Sequence, residues 1–290
     1  MKIAGFQMDV AIGEVQTNVD RIISVLEETT RAGAALTIFP ECAATGYCFS
    51  SPDEAREFAE PVPGPITSAI SQACRDHDCF AVLGMLEADG RKLFNAAVLV
   101  GPEGVVGTYR KVHLPYLGVD MFTDYGDRPF AVHEAGDLRI GMNICYDASF
   151  PEAARSLAIQ GADLIALPTN WPPGSECVAE HTIRSRAVEN GVYYAAVNRV
   201  GVERDFSFIG MSSICAPNGD VLAATRDVEE QILYAELDPD LARRKRVVRV
   251  PGKHEIDRLS DRRPELYSVL TKPHSRTTPR ADHAERPARR

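Results

Sequence analysis

No apolar run in this 290-residue sequence reaches the length that a membrane-spanning helix needs, so a bilayer partner is not expected. No leader is expected either. Met1-Lys2-Ile3-Ala4-Gly5-Phe6 reads directly as strand, which sets the expectation that no signal peptide precedes it. Positive charge is short: the net charge of −9 argues against a general nucleic-acid binder. The last twenty residues are the exception, with six Lys/Arg against two Asp/Glu, so the body is more acidic than the total. Seven cysteines make an odd number without the spacing of a disulfide scaffold. Cys42-x5-Cys48 and Cys74-x4-Cys79 lack the further His or Cys pair of a zinc site, so no metal is expected. A reducing cytoplasm is the natural setting. There is no glycine-rich phosphate loop either; Gly101-Pro102-Glu103-Gly104 is a turn.

What is present is a soluble-type alternation of strands and helices. Residues 2–6 and 34–39 read as strands, with a helix from Thr17 between them, apolar at Val19, Ile22, Ile23 and Leu26 and stopped at Gly33. A second helix spans about 66–77. Residues 80–86, 94–100 and 105–109 follow as a meander, which makes the sheet mixed rather than purely parallel. Residues 138–144 alternate as a strand and break into Ser149-Phe150-Pro151-Glu152, which reads as a capping box before a helix over 153–159. Further strands are expected at 164–168, 192–198, 211–216 and 231–236, and a helix at 180–190. From about residue 271 proline, arginine and alanine dominate, and the tail over 271–290 is expected to be disordered.

Three residues share one position in this pattern. Glu41 follows a strand apolar throughout, Lys111 closes the third strand of the meander, and Cys145 stands where a strand turns toward a helix. Ends of strands in α/β sheets are where chemistry collects. Taken singly each has an ordinary reading: a solvated loop carboxylate, an exposed lysine, a cysteine acting as a small buried hydrophobe. Taken together they supply a nucleophile, a base and a cation for developing negative charge. The helix N-terminus after Cys145, and Lys111 nearby, would favour its thiolate. That activation predicts that iodoacetamide labels Cys145 far faster than the other six cysteines. The single tryptophan, Trp171, is open between core packing and a pocket wall.

Phe39-Pro40-Glu41, Tyr109-Arg110-Lys111-Val112-His113-Leu114 and Asn143-Ile144-Cys145-Tyr146-Asp147 with Phe150-Pro151-Glu152 resemble, in order and spacing, the three signature blocks of the nitrilase superfamily, the carbon–nitrogen hydrolases. The likeness extends through residues 162–168, 186–190, 196–199 and 262–267. It implies an α/β fold, a four-layer αββα sandwich of two mixed β-sheets with helices on the outer faces, as one domain over 1–270. It also implies Glu41 as general base, Cys145 as nucleophile, Lys111 as stabiliser of the tetrahedral intermediate and the Tyr146 N–H as second oxyanion donor, with no cofactor. Relatives of this kind form homodimers or higher even-numbered assemblies. Many carry a second glutamate in the loop after the lysine; here Asp120, one methylene shorter, is the candidate for that place. His113 reads as a structural partner near Lys111. Tyr47, Tyr116, Phe122, Asn170, Trp171 and the segment near Phe206 are candidate pocket walls.

The implied activity is hydrolysis of a small carboxamide to acid and ammonia through a thioester. The alternative is an N-carbamoyl amine or amino-acid amidohydrolase, for which Arg184 or Arg199 would hold a substrate carboxylate. A reading of a different class is a catalytically silent oligomeric scaffold, which would have no reason to keep Glu41, Lys111 and Cys145 together.

Overall fold

The computed structural model describes residues 1–273 and 275–284. The chain first lays down strands β1 (Lys2–Gln7), β2 (Leu36–Ile38), β3 (Phe80–Asp89), β4 (Lys92–Gly101) and β5 (Gly104–Arg110). It then forms β6 (Val132–Ala135), β7 (Leu138–Met142), β8 (Leu164–Thr169) and β9 (Tyr193–Asn198). A short hairpin, β10 (Val202–Glu203) with β11 (Phe206–Ser207), precedes β12 (Ser213–Cys215), β13 (Val221–Ala224) and β14 (Gln231–Glu236). One six-stranded sheet has the order β14-β1-β2-β3-β4-β5 and the other β13-β12-β9-β8-β7-β6. In each, three central strands run parallel (β1, β2, β3 and β7, β8, β9) and the flanking strands run antiparallel. Both sheets are mixed, as the meander implied.

Side-chain alternation builds the layers. The short helix α2 (Pro52–Glu57) follows α1 (Val15–Arg31), and on β3, Ala81, Leu83 and Met85 pack outward with α1 and α3 (Pro65–His77), while Val82 points into the other sheet. On β4, Val98 and Val100 take the outer face and Ala97 and Leu99 the inner one. The second sheet packs its outer face on α4 (Pro151–Ile159) and α5 (Ile183–Asn190) through Ala154, Leu157, Ile183 and Ala187. Helix, sheet, sheet, helix is the αββα sandwich. Because both faces of each sheet are covered, β8 reads Leu164-Ile165-Ala166-Leu167 without polar relief.

Two local expectations are corrected. Ser149 does not cap α4. Its N-cap is Phe150, with no side-chain cap bond and Pro151 in the first position, and residues Cys145–Ser149 form a separate 3-10 turn. The segment after β14 carries a short helix, α6 (Pro239–Arg243), and a two-stranded ribbon, β15 (Val247–Val250) with β16 (His254–Ile256). The C-terminal stretch read as disordered contains helix α7 (Pro279–Ala284). There Arg280 donates to the Thr123 carbonyl (2.8 Å) and His283 stacks on Tyr116 (ring centroids 3.9 Å). Residues 274 and 285–290 lie outside the described residues. Among the described residues no helix is long and apolar enough to cross a membrane.

Candidate active site

The loops at the C-terminal ends of β2, β7 and β8 meet between the sheets, and each contributes a side chain. Glu41 is placed by a tight turn: Cys42 adopts φ 50, and Gly84 of β3 donates its N–H to Pro40 O (3.1 Å) and accepts from Ala44 N (3.2 Å). This turn lies directly on the β3 backbone because position 84 has no Cβ. An added methyl would fall 2.6 Å from Glu41 Cα and closer still to the Cys42 nitrogen. Gly84→Ala is therefore expected to shift Glu41, destabilise the fold by about 1–3 kcal/mol and lower turnover by about a hundredfold. Urea denaturation with steady-state rates checks this; a variant with wild-type activity would mean that the turn is not what positions Glu41.

Lys111 is the first residue after β5, and its N–H bonds the Asn95 carbonyl of β4 (2.9 Å). Its neighbour Arg110 is gripped by Glu87 (2.6 and 2.8 Å) and by Asp127 (2.9 Å), which pins the loop on both sides. Lys111 Nζ then reaches Glu41 Oε1 at 2.7 Å and Asp120 Oδ2 at 2.5 Å, with all three side chains fully buried. Asp120 comes from the 3-10 turn Gly118–Met121. Gly118, at φ +50, lies under the Tyr47 ring, and a Cβ there would stand 2.6 Å from Tyr47 Cδ1. The Tyr47 hydroxyl in turn donates to Asp120 Oδ2 (2.9 Å). The Tyr47 loop is fastened by Glu203, which accepts from the Tyr47 and Cys48 N–H groups (2.9 and 2.6 Å) and is itself held by buried Arg199 (2.7 Å).

Cys145 opens its 3-10 turn with φ 45, a conformation that a side chain adopts only when its surroundings impose it. Asp147 is the organiser. It accepts from Ile144 N–H (2.8 Å), the Tyr109 hydroxyl (2.8 Å) and His113 Nδ1 (2.7 Å). His113 is thus a partner of Asp147, stacked on Phe150 (ring centroids 3.7 Å), and not of Lys111. Thr169 and the Asn170 N–H face the sulfur from the end of β8. Several buried polar atoms near these residues have no hydrogen-bond partner among the described residues: Glu41 Oε2, both amide atoms of Asn143 and of Asn170, and the Thr169 hydroxyl.

Burial sets the electrostatics. It raises the Glu41 pKa against the opposing pull of Lys111, and the Asp120 charge adds to the rise. Burial also works against the Lys111 charge, but Asp120 and Glu41 outweigh it and hold its pKa well above the ordinary lysine value. Cys145 is pushed up to about 12 by burial and the Glu41 charge, with Lys111, Thr169 and Asn170 opposing. Cys145 is therefore held as a thiol, in contrast to the thiolate expected from a helix N-terminus. This also alters the labelling expectation, because Cys177 is the exposed cysteine while Cys145 is buried.

The structure assembles Glu41, Lys111, Cys145, Asp120 and Tyr47, with Asn170 alongside. Trp171 is buried in the inter-sheet core, its N–H bonded to Asn198 Oδ1 (2.8 Å). Tyr116 is half exposed against His283. Arg199 is fully committed to Glu203 and the Val10 carbonyl, and Arg184 lines a surface cleft of about 510 Å³ with His181 and Arg258. Neither arginine is offered to the thiol. Among the described residues no group of three or more His, Cys, Asp or Glu is arranged to hold a metal. Asn95, Asp147 and Glu203 were not singled out from the sequence; a lone asparagine inside an apolar strand was the available signal for the first.

Residues 2–247 match the sequence model of a family described as carbon-nitrogen hydrolase. A protein named nitrilase from Pyrococcus abyssi is 39% identical over 92% of this chain and 99% of its own length. A protein named (R)-stereoselective amidase from a Pseudomonas species is 33% identical over 93% of this chain and 94% of its own. Among solved structures, the amidase from Nesterenkonia sp. AN1 is 26% identical, with a TM-score of 0.78 over 93% of this chain and 96% of that one. That structure is a glutamate-to-glutamine mutant with the acetamide moiety of fluoroacetamide added covalently at the active-site cysteine.

Proposed function

The chain belongs to the carbon–nitrogen hydrolase family, and from that premise we propose that it hydrolyses small carboxamides to the acid and ammonia through a thioester on Cys145. The observation that carries this is the set of atoms left uncommitted around the thiol. Lys111 has three ammonium hydrogens, of which Glu41 and Asp120 engage two, leaving one for a developing oxyanion. Glu41 keeps Oε2 without a partner, beside a cysteine that feels its charge.

Glu41 takes the thiol proton as sulfur bonds the amide carbon, so no free thiolate needs to accumulate. The oxygen of the tetrahedral intermediate is held by Lys111 and by the Tyr146 N–H, which sits in the first turn of the 3-10 segment, where N–H groups lack an intrahelical acceptor. Glu41 returns the proton to nitrogen, the C–N bond breaks and ammonia leaves. Water then gives a proton to Glu41 as it attacks the thioester. Collapse expels the sulfur, which recovers that proton as the acid departs. Asp120 fixes Lys111 together with Glu41, and Asn170 borders the sulfur through its N–H.

A carboxamide is favoured over an N-carbamoyl amino acid because Arg184 and Arg199 are engaged away from the thiol. Homo-oligomer formation is part of the same proposal, and exposed Leu266, Val269 and Leu270 offer apolar surface for it. A reducing cytoplasm suits the seven free cysteines. The test is ammonia release over simple amides, nitriles, N-carbamoyl amines and N-carbamoyl amino acids. Release from simple amides is expected. Release from N-carbamoyl compounds alone would transfer the assignment to that branch, and inertness without an acyl adduct on Cys145 would favour the scaffold.

A further inference from the structure

Asn95 lies on β4 with its side chain on the inner face, as Ala97 and Leu99 are, and is buried. An asparagine amide in an apolar strand needs its hydrogen bonds met there, and here each is met by the catalytic cluster. Its Nδ2 donates to Glu41 Oε1 (2.7 Å) and to Asp120 Oδ1 (2.9 Å). Its Oδ1 accepts from the Cys42 thiol (3.6 Å), which burial and the neighbouring carboxylates keep protonated. The amide orientation follows: the NH2 must face the two carboxylates and the oxygen the thiol. Its backbone carbonyl also holds the Lys111 N–H. The result is a closed ring in which Glu41 Oε1 receives both Lys111 and Asn95, and Asp120 receives both from the other side.

We propose that Asn95 is a positioning residue for the base: by filling the second site on Glu41 Oε1 and tying it to Asp120, it fixes the carboxylate so that Oε2 is the oxygen that takes the Cys145 proton. The inference rests on the assignment of Glu41 as base. Two acceptor oxygens with free rotation would share the ammonium and the thiol in several ways; two donors on one oxygen leave a single arrangement. Charged or titratable groups facing Glu41 are Lys111 beyond β5, Asp120 on the 3-10 turn, Cys42 on its own turn, Tyr47 on the following loop and Cys145 from the second sheet. Only Lys111 among them favours the carboxylate, so the neutral Asn95 donor is the other group opposing its protonation.

The experiment compares the pH dependence of kcat/KM on a simple carboxamide for wild type, Asn95→Leu (the same number of heavy atoms, somewhat bulkier, without donors) and Asn95→Asp (equal in shape, adding negative charge). The acid limb reports loss of the charged base. Removing a donor to that charge should move it to higher pH by about one unit in Asn95→Leu, and further in Asn95→Asp. Turnover should fall about tenfold to a hundredfold with KM little changed. The pH dependence of Cys145 alkylation, read in a Cys177→Ser background, should shift with it. A folded Asn95→Leu variant with the wild-type limb and turnover overturns the proposal, even if its melting temperature falls. Should Asn95→Leu not fold, a wild-type limb in Asn95→Asp overturns it equally. Glu41→Gln is the control: if it keeps activity, the base assignment itself fails, whereas an inactive Glu41→Gln with unshifted Asn95 variants sinks only the positioning role.

Discussion

Cys145→Ala is expected to lose at least about four orders of magnitude in turnover, roughly 5.5 kcal/mol of transition-state stabilisation. No other cysteine can take over. Cys42 sits nearest the cluster, but its thiol is bonded to Asn95 and held protonated by burial and by the Glu41 and Asp120 charges. The stability of the variant should change little, because the strained turn at 145 is held by Asp147 and not by the sulfur. The variant should therefore still bind a simple amide, visible as a rise in melting temperature with saturating amide. Ammonia release and mass spectrometry of the acyl adduct read the outcome. Retained turnover, or an adduct on another cysteine, would end the assignment. With the thiol pushed up to about 12, the acid limb of the wild-type profile should not track a cysteine ionisation.

Lys111→Met should lose about a thousandfold or more in rate, since the ammonium beside the thiol disappears. Its larger signature is in stability. Without the ammonium, Glu41 and Asp120 face each other in the dry interior around the Asn95 amide. Removing one partner of a buried ion cluster destabilises by about 3–5 kcal/mol, and the pH window in which stability is lost should move from above the ordinary lysine value down into the acid-to-neutral range. In the wild type the Lys111 pKa is raised on folding, so its contribution is fully present below the ordinary lysine value and fades only as pH climbs through the folded one. In the variant the opposing pull of the ammonium is gone, so burial and the neighbouring Asp120 charge raise the folded Glu41 pKa further above the unfolded carboxylate range. Stability is then greatest in acid and lost as pH rises through the neutral region. Urea denaturation at several pH values between 4 and 9 tests this. A variant most stable at pH 8 would mean that the carboxylates are relieved by water, and that the cluster is not dry.

How far the sequence could be read differs by element. The β-strand run from β1 through β5 and the helices α1 and α3 were legible because both layers around them are apolar and periodic. Strand β6, the β10–β11 hairpin and the β15–β16 ribbon were not, since two- to four-residue strands carry too little periodicity to register. The turn after Cys145 was misread as the approach to a capped helix because Ser149 and Glu152 have the spacing of a capping box. What shapes the turn is Asp147, whose partners Tyr109 and His113 lie 38 and 34 residues away, beyond any local pattern.

The same division holds at the site. Glu41, Lys111 and Cys145 could be picked out in the sequence at the ends of their strands, because covalent order and local periodicity suffice to place a residue at the end of a strand. Their protonation depends on how the fold packs them. Burial raises the Glu41 pKa and pushes up that of Cys145, and it does so only where folding has put both in the dry interior. Asp120 meets Lys111 at 2.5 Å because Gly118 lets Tyr47 lie flat over its turn, and Arg184 and Arg199 are drawn to other partners. Desolvation and hydrogen bonding act between groups far apart in the chain, so their effect appears only when folding has removed the water between them.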